Sequence, residues 1–197
     1  MNTTSEKFYD QLAWLYPVID LFLKSQKRKL FNVINACPHG QLLEIGVGNG
    51  RHFKYYNTHE ITGIDTSRSM LSQAHEEVKE NIRVFHMNGE ELLFPNEVFD
   101  YVVMSHVIAV VENPEKLLRE VHRVLKPKGK VFILNHFTPD NWLNHVDRAL
   151  EKVARLFYFR SVFMISDLCT IQKFKLLHEH DAGLFSYFKI LIYEKDV

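Results

Sequence analysis

The sequence predicts an α/β fold with a mostly parallel sheet. Three observations predict it: short apolar runs alternate with amphipathic stretches, a glycine-rich turn closes the first run, and a carboxylate ends the second. Taken in order, the chain begins with Phe8, Leu12, Leu15, Ile19, Phe22 and Leu23 at helical spacing, with Tyr9, Trp14 and Tyr16 interleaved. Lys24, Lys27, Arg28 and Lys29 follow, and Pro17 is expected to kink or split this helix. The stripe suits a helix packed on the domain, which periodicity alone favours, and also a helix lying in a bilayer interface.

"QLLEIGV" (41–47) then reads as a buried strand running into Gly46, Gly48 and Gly50, a turn expected to enter a helix. "EITGID", "IRVFHM", "FDYVVMSH" and "GKVFILNHF" supply four further strands. Between them lie two helical stretches, "SRSMLSQAHEEVKE" and "NPEKLLREVHRVLK". Ser67 or Ser69 is placed to start the first, and Asn113 before Pro114 the second. Leu117, Leu118, Val121, Val124 and Leu125 form one apolar stripe, and "KPKG" (126–129) reads as a turn into the fifth strand. The last stretch suggests two strands joined near Gly183, an antiparallel edge. Alternating strands and helices call for right-handed crossovers. Residues 1–197 read as one domain, and 1–36 as an N-terminal amphipathic helical segment over its active site.

Composition narrows the function. Lys and Arg balance Asp and Glu at 24 each, so no global field attracts nucleic acid. Cys37 and Cys169 stand far apart, which fits a reducing compartment without a structural metal. His178 and His180 have no third ligand at a foreseeable position. The N-terminus does not read as a signal peptide, and no apolar run reaches the about 20 residues of a membrane span, so a soluble or peripheral protein is expected. No P-loop, G-x-S-x-G or Cys–His nucleophile arrangement occurs.

The glycine turn carries the chemistry. In open α/β sheets ligands bind beyond the carboxyl ends of the strands, where strand order reverses. Its pattern is E-x-G-x-G-x-G rather than the G-x-G-x-x-G of a pyrophosphate site. Asp65, at the end of the second strand, can accept the two hydroxyls of a ribose, so a nucleoside fits better.

In order, that turn, "GIDTSRSML", "MNGEELLF", "FDYVVMSHV" and "LLREVHRVLKPKGKVFI" resemble the class I S-adenosylmethionine-dependent methyltransferases. The resemblance implies a Rossmann-like, seven-stranded, mostly parallel sheet with helices on both faces and an antiparallel C-terminal edge strand. It implies S-adenosylmethionine as cofactor, with S-adenosylhomocysteine as its product. It places Gly46 and Gly48 near the methionine moiety, with Glu44 ordering the turn or the ammonium group. Asp65 would bind the ribose, with Thr66 and Met70 beside the adenosine. Asn88 stands where the family usually has Asp, so its contact to the adenine amino group would be uncharged. The backbone of Gly89 and Glu90 would meet the adenine, and Ser105 and His106 would lie under the methionine arm and the transferred methyl.

The flanks resemble the soluble bacterial phospholipid N-methyltransferases, which convert phosphatidylethanolamine stepwise to phosphatidylcholine. The motifs are "YDxxAxxY" (Tyr9 to Tyr16), "FILNHF", "FRSxF" (Phe159 to Phe163) and "LFSYFKIL". The chain departs from that pattern after Phe163, where it is a helix short. On this resemblance Arg160, Arg148 and His136 would hold the lipid phosphate and Tyr9 would join the substrate side; surface ion pairs and a capped strand end compete for the first three. Tyr16 would orient the amine or close over the sulfonium, with core packing as the competing role, and His106 or Tyr16 could carry the proton that the amine must lose. The expected reaction is attack of the amine nitrogen on the sulfonium methyl, by a cytoplasmic protein peripheral on the inner face of the membrane. Two other readings stay open: a quinone C-methyltransferase or small-molecule methyltransferase, and a lipid-binding module that keeps the cofactor fold.

Overall fold

The computed structural model describes residues 16–136, 165–182 and 188–196. Helix α1 (Tyr16–Asn35) leads into β1 (Gln41–Ile45) and β2 (Glu60–Asp65). Then come α2 (Arg68–Glu76), β3 (Ile82–His86), β4 (Phe99–Ser105), α3 (Pro114–Val124) and β5 (Leu125–His136). Two antiparallel strands, β6 (Phe174–Asp181) and β7 (Phe188–Lys195), end the described chain. The seven strands form one sheet in the order β3-β2-β1-β4-β5-β7-β6. β1 to β5 pair in parallel, while β7 pairs antiparallel with both β5 and β6. This is the Rossmann-like sheet with an antiparallel β6–β7 edge.

Strands covered on both sides read as continuous apolar runs, and alternate residues feed two cores. On one face Leu43, Ile45, Val102, Met104 and Ile133 pack against the α3 stripe, of which Leu117, Leu118, Val121 and Val124 are fully buried. On the other, Leu42, Val103, Phe132 and Leu134 pack against Leu30, Phe31 and Ile34 of α1 and Leu71 and Ala74 of α2. Pro17 sits in the first turn of α1, where a missing N–H costs no intrahelical bond. The caps fall at the expected side chains: Ser67 Oγ accepts from Met70 N, and Asn113 Oδ1 from Lys116 N.

Two elements differ from expectation. The glycine turn enters no α-helix; it passes into a single 3-10 turn at Phe53–Tyr55. Three glycines at positive φ occupy the start of this connection, and the few residues that follow must return to β2. The "KPKG" segment lies within β5, where Lys128 adopts a φ of +63° and the pairing with β4 shifts register. The extra residues bulge out, as in other strand irregularities.

Candidate active site

The order β3-β2-β1-β4 reverses direction between β1 and β4, and the candidate residues collect at the C-terminal ends of these four strands. Gly46, Gly48 and Gly50 have φ of +79°, +56° and +71°, the left-handed region that glycine enters without strain. A Cβ on Gly46 would lie 2.4 Å from Val107 Cγ2, so the turn after β1 touches the segment after β4. The N–H groups of Gly46 and Val47 both donate to the Ile64 carbonyl, at 2.8 and 3.1 Å.

Asp65 clamps the middle of the turn. Its Oδ2 accepts the Gly48 N–H at 2.7 Å and its Oδ1 the Ser67 N–H at 2.9 Å. Burial pushes its pKa above the usual carboxylate value, although the N–H groups of Ser67, Gly48 and Thr66 and the charge of His86 pull it down. An ionised carboxylate offers about four acceptor positions, so backbone donors do not exhaust it. His86 pairs with Asp65 in the β2–β3 register and donates its Nε2–H to the Thr66 carbonyl at 2.9 Å, which ties the end of β3 to the residue after Asp65.

Glu44, 2% exposed, anchors a polar cluster. Tyr56 Oη donates to Oε2 at 3.0 Å, and His52 Nε2 lies 2.9 and 3.0 Å from the two carboxylate oxygens. Burial first, then the Glu44 charge and hydrogen bond, push the Tyr56 hydroxyl pKa well up. These bonds tie the end of β1 to the residues that follow the glycine turn.

At the end of β3, Asn88 Oδ1 accepts the Glu90 N–H at 2.9 Å. Gly89 is closely packed, since a Cβ there would meet Ile45 Cγ2 at 2.8 Å and Leu117 Cδ1 at 2.9 Å. The Glu90 carboxylate is buried and accepts the Asn113 N–H at 3.0 Å, joining this loop to the start of α3. Met70 is buried in the first turn of α2, five residues after Asp65 and four after Thr66. Ser105 Oγ is buried with no hydrogen-bond partner among the described residues. Next to it, His106 holds a φ of +60°, its N–H donates to Leu134 O at 2.7 Å, and its ring meets Phe188 edge-on at 5.6 Å. A non-glycine residue in the left-handed region is a stored strain of the kind that gathers at functional sites.

The turn, Asp65, Thr66, Asn88, Gly89, Ser105 and His106 therefore share one end of the sheet. Tyr16 opens α1 and His136 ends β5, but their side chains are outside the described part. Tyr9, Arg148 and Arg160 lie outside the described residues altogether. Sequence reasoning missed His52, Tyr56, His86 and Val107. A weak signal for the first two was "RHFKYY": polar-tipped aromatic residues directly after the glycine turn, facing a strand that carries a carboxylate.

Comparison with known proteins places this geometry. A model of the methyltransferase domain family matches residues 43–133, from β1 through most of β5. The phosphatidylethanolamine N-methyltransferase of Cereibacter sphaeroides is 32% identical over 176 residues, covering 84% of this chain and 86% of that protein. The demethylmenaquinone methyltransferase of Listeria welshimeri is 38% identical over 84 residues, 41% of this chain and 36% of that one. Among solved structures, a SAM-dependent methyltransferase from Thermotoga maritima superimposes with a TM-score of 0.73 at 21% identity, covering 96% of this chain and 99% of that one. The sheet order, the glycine turn at its switch point and a likeness running through most of a relative's length agree: the chain belongs to the class I S-adenosylmethionine-dependent methyltransferases.

Proposed function

We propose that this methyltransferase acts on the amine of phosphatidylethanolamine and of its mono- and dimethyl products, toward phosphatidylcholine. The observation that carries the proposal is the 32% identity to the Cereibacter sphaeroides enzyme, because it spans the flanks as well as the cofactor half. The likeness to the quinone enzyme covers 41% of the chain and supports quinone C-methylation as the second reading.

The residues at the sheet end fit S-adenosylmethionine. Asp65 keeps acceptor capacity for ribose hydroxyls, the Asn88 amide remains to meet the adenine edge, and Ser105 presents a buried hydroxyl with no partner among the described residues. Gly46 and Gly48 are proposed to border the methionine moiety, with Thr66, Met70 and the Gly89–Glu90 backbone around the adenosine. When bound, the cofactor supplies a methyl group already activated by its sulfonium. The chain's own work is then alignment, exclusion of water and removal of a proton, because an ammonium nitrogen has no lone pair. Burial lowers the pKa of such an amine. His106 and Tyr16 are the proposed route for its proton, and Tyr9, His136, Arg148 and Arg160 the proposed holders of the acceptor, with the arginines on its phosphate.

Among the described residues no helix is long and apolar enough to cross a membrane. Access to a lipid headgroup is proposed to come from docking of the N-terminal segment on the inner face of the membrane. Arg28 and Lys29 are exposed on α1, opposite its buried Leu30, Phe31 and Ile34 side, and can face anionic lipid. The test is purified protein with methyl-labelled cofactor and liposomes, products separated by headgroup, with demethylated quinone in parallel. Label in mono-, di- and trimethylated phospholipid is expected; label in the quinone alone overturns the proposal.

A further inference from the structure

Beyond the residues that border the cofactor, the back of the turn is built with unusual care. Between Glu44 and His52 the chain passes three glycines at positive φ, the segment with the most conformational freedom to lose. The Glu44 carboxylate closes this loop from behind. It stands in β1 before the first glycine, and its partners His52 and Tyr56 stand after the last. A carboxylate only accepts, so His52 donates through Nε2–H and Tyr56 through its hydroxyl. The three side chains are buried, so each bond is made without competing water. The His52 ring stacks on Phe31 of α1 with centroids 5.6 Å apart and planes 20° apart, and Phe31 meets Tyr56 edge-on at 4.8 Å. The cluster is thus fixed to the turn on one side and to α1 on the other.

We infer that His52 and Tyr56 are positioning residues for the cofactor: acting through Glu44, they hold the glycine turn in its binding shape, with Phe31 of α1 as the wall they rest on. They touch no reacting atom. Their effect is on preorganisation, so their loss is read in cofactor affinity rather than in the chemical step. The inference rests on the assignment of the glycine turn and Asp65 to the cofactor.

The experiment is calorimetric titration with S-adenosylmethionine, and steady-state turnover, for Tyr56→Phe, His52→Gln, His52→Leu and Asp65→Ala, each checked for folding. Tyr56→Phe keeps the ring against Phe31 and removes one charge-assisted bond, so the cofactor dissociation constant is expected to rise about tenfold. Turnover at saturating cofactor and the acceptor KM should stay within about twofold of the wild type. His52→Gln retains a donor and should bind better than His52→Leu. Adding Glu44→Ala to Tyr56→Phe should weaken binding by less than the product of the single effects, because both remove the same bond. A purely structural role would lower the melting temperature and leave the affinity of the folded protein unchanged. If the Tyr56 and His52 variants bind like the wild type while Asp65→Ala binds weakly, the inference is overturned. If Asp65→Ala also binds like the wild type, the cofactor assignment fails and the inference falls with it.

Discussion

Replacing Gly46 by alanine should be costly for two separable reasons. At a φ of +79° a side chain pays for the left-handed conformation, roughly 1–2 kcal/mol. The new methyl would also lie 2.4 Å from Val107 Cγ2, far inside contact distance. Valine is stiff about χ1, so its methyl cannot swing aside cheaply, and overpacking of this kind adds about 1–3 kcal/mol. Urea unfolding should therefore show a loss of about 2–5 kcal/mol, a large part of the stability of a typical domain. The two causes come apart in a double variant. Val107→Ala removes the γ-methyls, so Gly46→Ala in that background should lose only the conformational part. The coupling between the two sites, obtained from the cycle of four proteins, should then be at least about 1 kcal/mol. Additive effects would refute the contact between the turn after β1 and the segment after β4, and a Gly46→Ala loss under about 0.5 kcal/mol would refute the backbone argument as well.

Asp65→Ala should weaken S-adenosylmethionine binding at least about tenfold, since charge-assisted bonds contribute about 1.5–3 kcal/mol each; calorimetry with unchanged affinity would remove Asp65 from the site. The raised pKa of Asp65 makes two opposite pH trends. Its contribution to folding is fully present below the unfolded carboxyl value and lost as pH rises through the folded one, whereas cofactor affinity should rise through that same window as the carboxylate forms. Affinity and urea stability measured from pH 4 to 7, against Asp65→Ala, check both signs. Replacing Lys24, Lys27, Arg28 and Lys29 by Gln should reduce sedimentation with anionic liposomes, by up to about 1 kcal/mol per charge at low salt, and spare cofactor affinity. Equal sedimentation would leave α1 as a packing element only. Arg160→Ala should impair lipid turnover at saturating cofactor more than Arg160→Lys, which keeps the charge but loses the bidentate fork. Wild-type rates in both would shift the phosphate role to Arg148 and His136.

How far the sequence could be read depends on whether an element is specified locally. The strands were legible because a sheet covered on both faces makes each one a run such as Leu42–Leu43–Glu44–Ile45, and α3 because its buried stripe repeats at helical spacing. Ser67 and Asn113 announced the starts of α2 and α3 because a cap is a contact over three residues. The glycine turn was legible by the same logic, as glycine at a strand end states its own backbone need. The connection after the turn was not legible. "RHFKYY" has apolar and aromatic residues that a helix could place on one side, and nothing in its spacing reveals that His52 and Tyr56 reach back to a carboxylate in β1. Glu90 gives the same lesson. Its backbone was expected at the adenine, while its side chain crosses to the Asn113 N–H at the start of α3, a partner 23 residues away. Pairings of this kind turn a residue that looks free in sequence into one that is already committed in the fold. At Glu44 that commitment bears on the turn itself: its carboxylate accepts from His52 and Tyr56, so the strand before the glycines is tied to the residues after them, across as many as 12 positions that no spacing pattern marks.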